Sequence, residues 1–184
     1  MLLKNCKGYD IKFIQTHPNN THHQKRYVYK FFSLKTKLHY IVLADHHEND
    51  FFALKFYAKK DRKSNRKYSN IINKGDVSNI LVTCAKAVPE ILKLFPNASF
   101  GFIGARTIDL RSNKAEGYDR NQRYKIYSYH IPQLIGDKTF LHKSYKNVSS
   151  YILLNRNMED LKGLEESIIN SVRETYPYLL DIQI

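Results

Sequence analysis

The 184-residue chain has no tryptophan, two cysteines, five prolines and only 17 acidic residues against 30 Lys and Arg. It also lacks any run of about 18 apolar residues, so no membrane-spanning helix is predicted. The first residues, MLLKNCKGYDIKF, reach Lys4 after Leu2 and Leu3 and offer no small-residue cleavage site. They do not read as a signal peptide. Cys6 and Cys84 make no Cys-x-x-Cys and could form at most one bridge. Cys84 falls on the apolar face of a predicted helix, where a buried, inert thiol is expected. These features predict a cytoplasmic protein.

Glycine and histidine are equally uninformative about cofactors. Gly101, Gly104 and Gly117 do not form Gly-x-Gly-x-x-Gly, and no phosphate loop ending in Gly-Lys-Ser/Thr occurs, so no cofactor is expected. Gly101 and Gly104 are read as points of helix approach or of a strand bend. The pairs His22-His23 and His46-His47 fit neither His-Glu-x-x-His nor a Cys/His finger, and both are expected at the surface without metal. No Gly-x-Ser-x-Gly elbow is present. Acids are scarce outside the last segment, where Glu159, Asp160, Glu165 and Glu166 are expected to form a solvated helix face.

What is present is a foldable composition with an excess of positive charge. Hydrophobic residues make up 42% and charged residues 26%, which suits one packed domain over residues 1–184. Formal net charge is +13 and is segregated along the chain. Residues 55–75 hold eight basic residues against one acidic (+7), and residues 106–147 hold nine against four (+5). Residues 148–184 hold three against six (−3). A coding bias toward Lys and Asn would raise the total but would spread it. A localised surplus favours contact with phosphate, and makes that contact sensitive to salt.

Periodicity supplies the elements. Arg26–Ser33, Leu38–Ala44 and Phe51–Lys59 read as antiparallel strands, with Asp45–Asp50 as a polar turn and Tyr9–Gln15 as an edge strand. Val77, Ile80, Leu81, Cys84, Val88, Ile91, Leu92 and Phe95 recur at helical spacing, capped by the Asp76 carboxylate and kinked by Pro89. Ser99–Ala105 reads as a strand and Arg106–Asp119 as a basic loop. Residues 120–131 fit either a strand or a helix ended by Pro132, and the helix is favoured. Thr139–Tyr145 and Ser150–Asn155 form a strand pair, and Met158–Leu180 a closing acidic helix. The order β-β-β-α-β-α-β-β-α predicts an α+β fold: a mostly antiparallel sheet with helices on one face.

Two basic clusters stand out. Lys59, Lys60, Arg62, Lys63, Arg66 and Lys67 lie between a strand and the capped helix, as a flexible finger toward phosphate or a solvated loop. Four of the nine arginines fall at Arg106, Arg111, Arg120 and Arg123. On a helix, Arg120, Arg123, Tyr127 and His130 would share one arc. Arginine grips phosphate in a fork, while tyrosine and histidine can stack on bases or move protons. Alternatively, Tyr127 lies in the core and the arginines pair with Asp109, Glu116 and Asp119.

Asn73-Lys74-Gly75-Asp76, Ile80–Thr83, Ala85–Val88 and the run Phe95–Thr107 resemble a family of small uncharacterised bacterial α+β proteins over about residues 50–155. The resemblance implies a bacterial origin and an α+β fold, transfers no activity, and draws attention to Asp76, Gly104, Arg106 and Thr107. The leading expectation is a nucleic-acid-binding protein in a regulatory or mobile-element setting. One alternative is a metal-independent ribonuclease of the bacterial-toxin kind using Arg106, Arg123, Tyr127 and His130. Another is a protein-interaction module or homodimer.

Overall fold

Strong β-formers dominate the first third of the chain, and they assemble into one twisted sheet. The computed structural model describes residues 6–18, 23–70, 75–103, 105–106, 108–109 and 114–176. Four strands, β1 (Lys12–His17), β2 (Lys25–Ser33), β3 (Leu38–His46) and β4 (Phe51–Ala58), form an antiparallel meander. Two short helices follow, α1 (Val77–Ala85) and α2 (Ala87–Leu92), and carry the chain back to β5 (Ser99–Ile103). Because these helices return the chain to the starting end of β4, β5 pairs with it in parallel.

A two-residue pair, β6 (Ile108–Asp109) with β7 (Lys114–Ala115), precedes α3 (Gln122–Leu134). The hairpin β8 (Phe140–Tyr145) and β9 (Ser150–Asn155) then completes the sheet, and α4 (Leu161–Thr175) ends the described chain. Strand order is β1-β2-β3-β4-β5-β9-β8, an α+β architecture.

Strand alternation sorts the core onto two faces. Tyr27, Tyr29, Phe31, Val42, Phe52, Leu54, Phe100 and Leu153 meet α1, α2 and α3 on one face. Phe51, Ala53, Ile152 and Leu154 meet Leu164, Ile168, Ile169 and Val172 of α4 on the other. Helices therefore cover both faces, not one. The reason is that β9 is buried at every position, so its second face also needs a cover.

Several boundaries move for local reasons. Pro89 has no N–H for the Ala85 carbonyl, and the helical run divides at Lys86. Asp76 stands at the N-cap of α1, but its side chain makes no cap bond there. Its carboxylate is taken by Ser33 Oγ (2.5 Å), the Tyr9 hydroxyl (2.9 Å) and Asn79 Nδ2 (3.0 Å). Residues 120–131 are helical from Gln122, capped by Asn121 accepting the Tyr124 N–H (2.9 Å), and Pro132 lies inside α3 instead of ending it.

Gly101 admits a side chain, not a helix. A Cβ there would lie 2.5 Å from the Phe51 ring, which is itself fully buried under α4. Gly101→Ala is expected to cost about 1–3 kcal/mol through overpacking, read as a lower denaturant midpoint at unchanged slope. An unchanged midpoint would show that Phe51 can give way. Gly104 lies outside the described residues.

Candidate functional site

After Ala58 the chain leaves the sheet in tight turns and folds back over it. A single 3₁₀ turn, Lys59–Asp61, is followed by bonds from Ser64 N–H to the Asp61 carbonyl (2.8 Å) and from Ser69 N–H to the Arg66 carbonyl (2.8 Å). The expected flexible finger is thus a hydrogen-bonded coil. Tyr68 anchors it, meeting Tyr57 edge-on at 5.6 Å beside Val28 and Leu43. Burial pushes the Tyr68 phenol up to about 12, so it stays protonated.

The charges of this segment point outward. Lys59, Lys60, Arg62, Lys63 and Arg66 lie at the surface, and Lys67 is half-buried with its ammonium about 5 Å above the Tyr57 and Tyr68 rings. Among the described residues none of the six forms an ion pair with a carboxylate. Partial burial and the charges of Arg26 and Arg62 push the Lys67 ammonium down. Such mutual repulsion is relieved by a bound anion.

Beneath the coil lies a buried polar cluster that sequence reasoning missed. Asp45, expected in a turn, sits inside β3 and is fully buried. Arg26 on the adjacent strand reaches both of its oxygens (2.5 and 2.9 Å), and Lys55 Nζ donates to Oδ2 (2.8 Å). Lys55 also donates to the Tyr176 hydroxyl (2.9 Å), which bonds His47 Nε2 (3.1 Å). Burial alone would raise the Asp45 carboxyl, but the Arg26 bonds and the Lys55 charge hold it at about 2. Burial pushes the Lys55 ammonium down, an effect Asp45 only partly offsets. The signal available in sequence was Arg26 and Asp45 as opposite charges in apolar strands, but pairing them requires the β2–β3 register.

The described members of the histidine pairs, His23, His46 and His47, are also not at the surface. His23 and His47 are buried, and His46 stacks on Phe52 at 4.5 Å while bonding Asp50 (2.9 Å). His22 lies outside the described residues. Aromatic neighbours make room for imidazole rings that polarity alone would place in water. On α4, Glu165 is not part of a solvated face, since it pairs with Lys143 (2.9 Å) and accepts the Tyr145 hydroxyl.

The second basic cluster is divided by the fold. Arg106, just beyond β5, stacks 3.9 Å over the Tyr118 ring and donates to the Glu116 carbonyl at 3.5 Å. Arg120 precedes the Asn121 cap with a left-handed backbone (φ 43°), so it is not on the helix, and its guanidinium pairs with Asp119 (3.3 Å). Arg111 lies outside the described residues. Tyr127 is a core residue whose hydroxyl burial pushes up to about 12. His130 is buried as well, and burial pushes its imidazole down. Of the four expected catalytic groups, Arg123 and Tyr127 line one cleft, whereas Arg106 and His130 do not.

Arg123 instead turns toward the first cluster. Its Nη2 donates to the Asn70 carbonyl (3.0 Å), and its guanidinium lies 5.7 Å from the Phe56 ring centre. Lys67, Asn70 and Arg123 together border a cleft of about 160 Å³ between α1, α3 and the ends of β3 and β4. The fold thereby joins one residue of each basic cluster at one opening.

Among the described residues no group of three or more His, Cys, Asp or Glu could hold a metal ion. No helix among them is long and apolar enough to cross a membrane. Compared with family models, curated proteins and solved structures, the chain has no significant match in any of the three.

Proposed function

We propose that this protein binds nucleic acid through the Lys59–Lys67 coil and the adjoining Arg123. The observation that carries this reading is six cations on nine residues, held in shape by hydrogen bonds and Tyr68, with no described carboxylate partner. A fixed array of unpaired cations releases counterions when it meets a phosphate backbone, whatever the base sequence. Most surface cations that serve only solubility lie among acids, and here only Asp61 intervenes. The ribonuclease alternative has less support, because Tyr127 and His130 are packed on the core side of α3.

Replacing Arg62, Lys63, Arg66 and Lys67 together by Ala tests the reading. Affinity for any nucleic acid is expected to fall on the order of a hundredfold at low salt. The slope of log affinity against log salt should shrink by about 0.7–0.9 for every phosphate that is no longer neutralised. Fluorescence anisotropy over a salt series measures both. If the unmodified protein binds neither DNA nor RNA at low salt, the proposal is wrong.

A further inference from the structure

The cleft beside Arg123 has a shape and lining that a backbone-binding surface does not need. Its walls are Tyr40, Phe56, Ile80, Leu81 and Ile126, and its volume of about 160 Å³ matches a cavity that admits a single aromatic ring. No acidic residue lines it among the described residues. The Glu116 carboxylate at the start of α3 accepts the Gln122 N–H (2.5 Å) and stands outside the cleft. Lys67, Arg123, Gln122 and Asn70 are among its lining residues, with the Lys67 ammonium about 5 Å above the Tyr57 and Tyr68 rings.

We propose that this cleft receives one unstacked nucleobase, with the phosphate of the same nucleotide on Arg123 and Lys67. Half-buried Arg123 gives one of its five N–H groups to Asn70 and has no described carboxylate partner, so a forked donor remains for an oxyanion. The other end of the ligand must then be flat, largely apolar and one ring system in size. An acyl chain would outrun the cleft, whereas a base fits it and offers edge groups to the carboxamides. Lys67 belongs to both coil and cleft, and Asn70, bonded back to the Arg66 carbonyl (3.1 Å), follows it, so a strand tracking the coil brings its bases to the opening. A duplex keeps its bases stacked and cannot enter, which makes the site selective for single strands. For the polymer this rests on the reading above; for a mononucleotide it does not.

The test pairs both ligands on the full chain. A single-stranded oligonucleotide is expected to bind roughly tenfold tighter than a duplex of equal length, the size of one stacked base. A nucleoside 5′-monophosphate should bind saturably and compete with it, while ribose 5-phosphate should not. Ile126→Phe, which fills the cleft from a half-buried position, should abolish both effects yet leave duplex binding and its salt slope intact. Should that variant unfold, Arg123→Gln is expected to lose the monophosphate. Equal affinity for single strand and duplex, with sugar phosphate competing as well as nucleotide, overturns the cleft proposal and leaves the coil reading standing. Binding of the monophosphate without either polymer does the reverse. If neither monophosphate nor polymer binds, both fall.

Discussion

Asp45→Ala is expected to lower the unfolding free energy by about 3–5 kcal/mol, because it strands two cations beneath the basic coil. Asp45 is fully buried, and it satisfies Arg26 twice and Lys55 once. Without it, Lys55 is left among the described residues with the Tyr176 hydroxyl and ring as partners, in a site that already disfavours its charge. Removing one member of a buried ion cluster costs more than removing the whole, since the remaining charge is left without compensation. Asp45→Ala combined with Arg26→Met and Lys55→Met should therefore recover much of the loss. Urea denaturation measures all of these. A midpoint shift for Asp45→Ala equivalent to under about 1 kcal/mol would mean that water or the coil screens the cluster.

Acid should weaken the fold in two stages. His47 is buried against Phe51 and Tyr176, and burial pushes its imidazole from 6.5 down to about 4. Lys55, His23 and His46 act in the same direction, and Asp45 opposes them. A depressed histidine stabilises the fold above its unfolded value and loses that contribution as pH falls toward the folded one. From pH 6.5 to 4 the loss from His47 approaches about 3 kcal/mol, and His130 adds in the same sense. Asp45, lowered from 3.8 to about 2, contributes about 2 kcal/mol that disappears between those two values. His47→Gln keeps a partner for Tyr176 and should shrink only the upper stage, leaving the part due to His130. A stability profile already level from pH 7 to 4.5 in the unmodified protein would contradict the buried, neutral imidazole.

How much of this is legible depends on whether the cause is local. The sequence places β2, β3 and β4 within two residues of their ends, because alternation and aromatic content act within a few residues of one another. The helical choice for 120–131 has a local cause in Asn121, a cap residue at the right place. Asp76 does stand at a helix start, but its carboxylate serves Ser33 and Tyr9, 43 and 67 residues away. Asp45 looks like the opening of a turn, since the strand through it is stabilised by an arginine on another strand. Arg120 and Arg123 look equivalent, and a single left-handed residue before the cap separates them.

From the sequence alone come the α+β class, the meander, the helical run after Asp76 and the position of an unusual charge surplus. Each follows from propensity, period or composition, which the chain carries in short windows. Tertiary structure decided which charges are free and which are spent. Arg26, Lys55 and Lys67 are all basic residues near aromatic neighbours, yet two neutralise a buried aspartate and the third stands at an opening. It also decided that Lys67 and Arg123, on separate clusters, would border one cleft. The physical reason is that side-chain partners are chosen by strand register and helix docking, both set by burial summed over the whole sheet and not by any single segment.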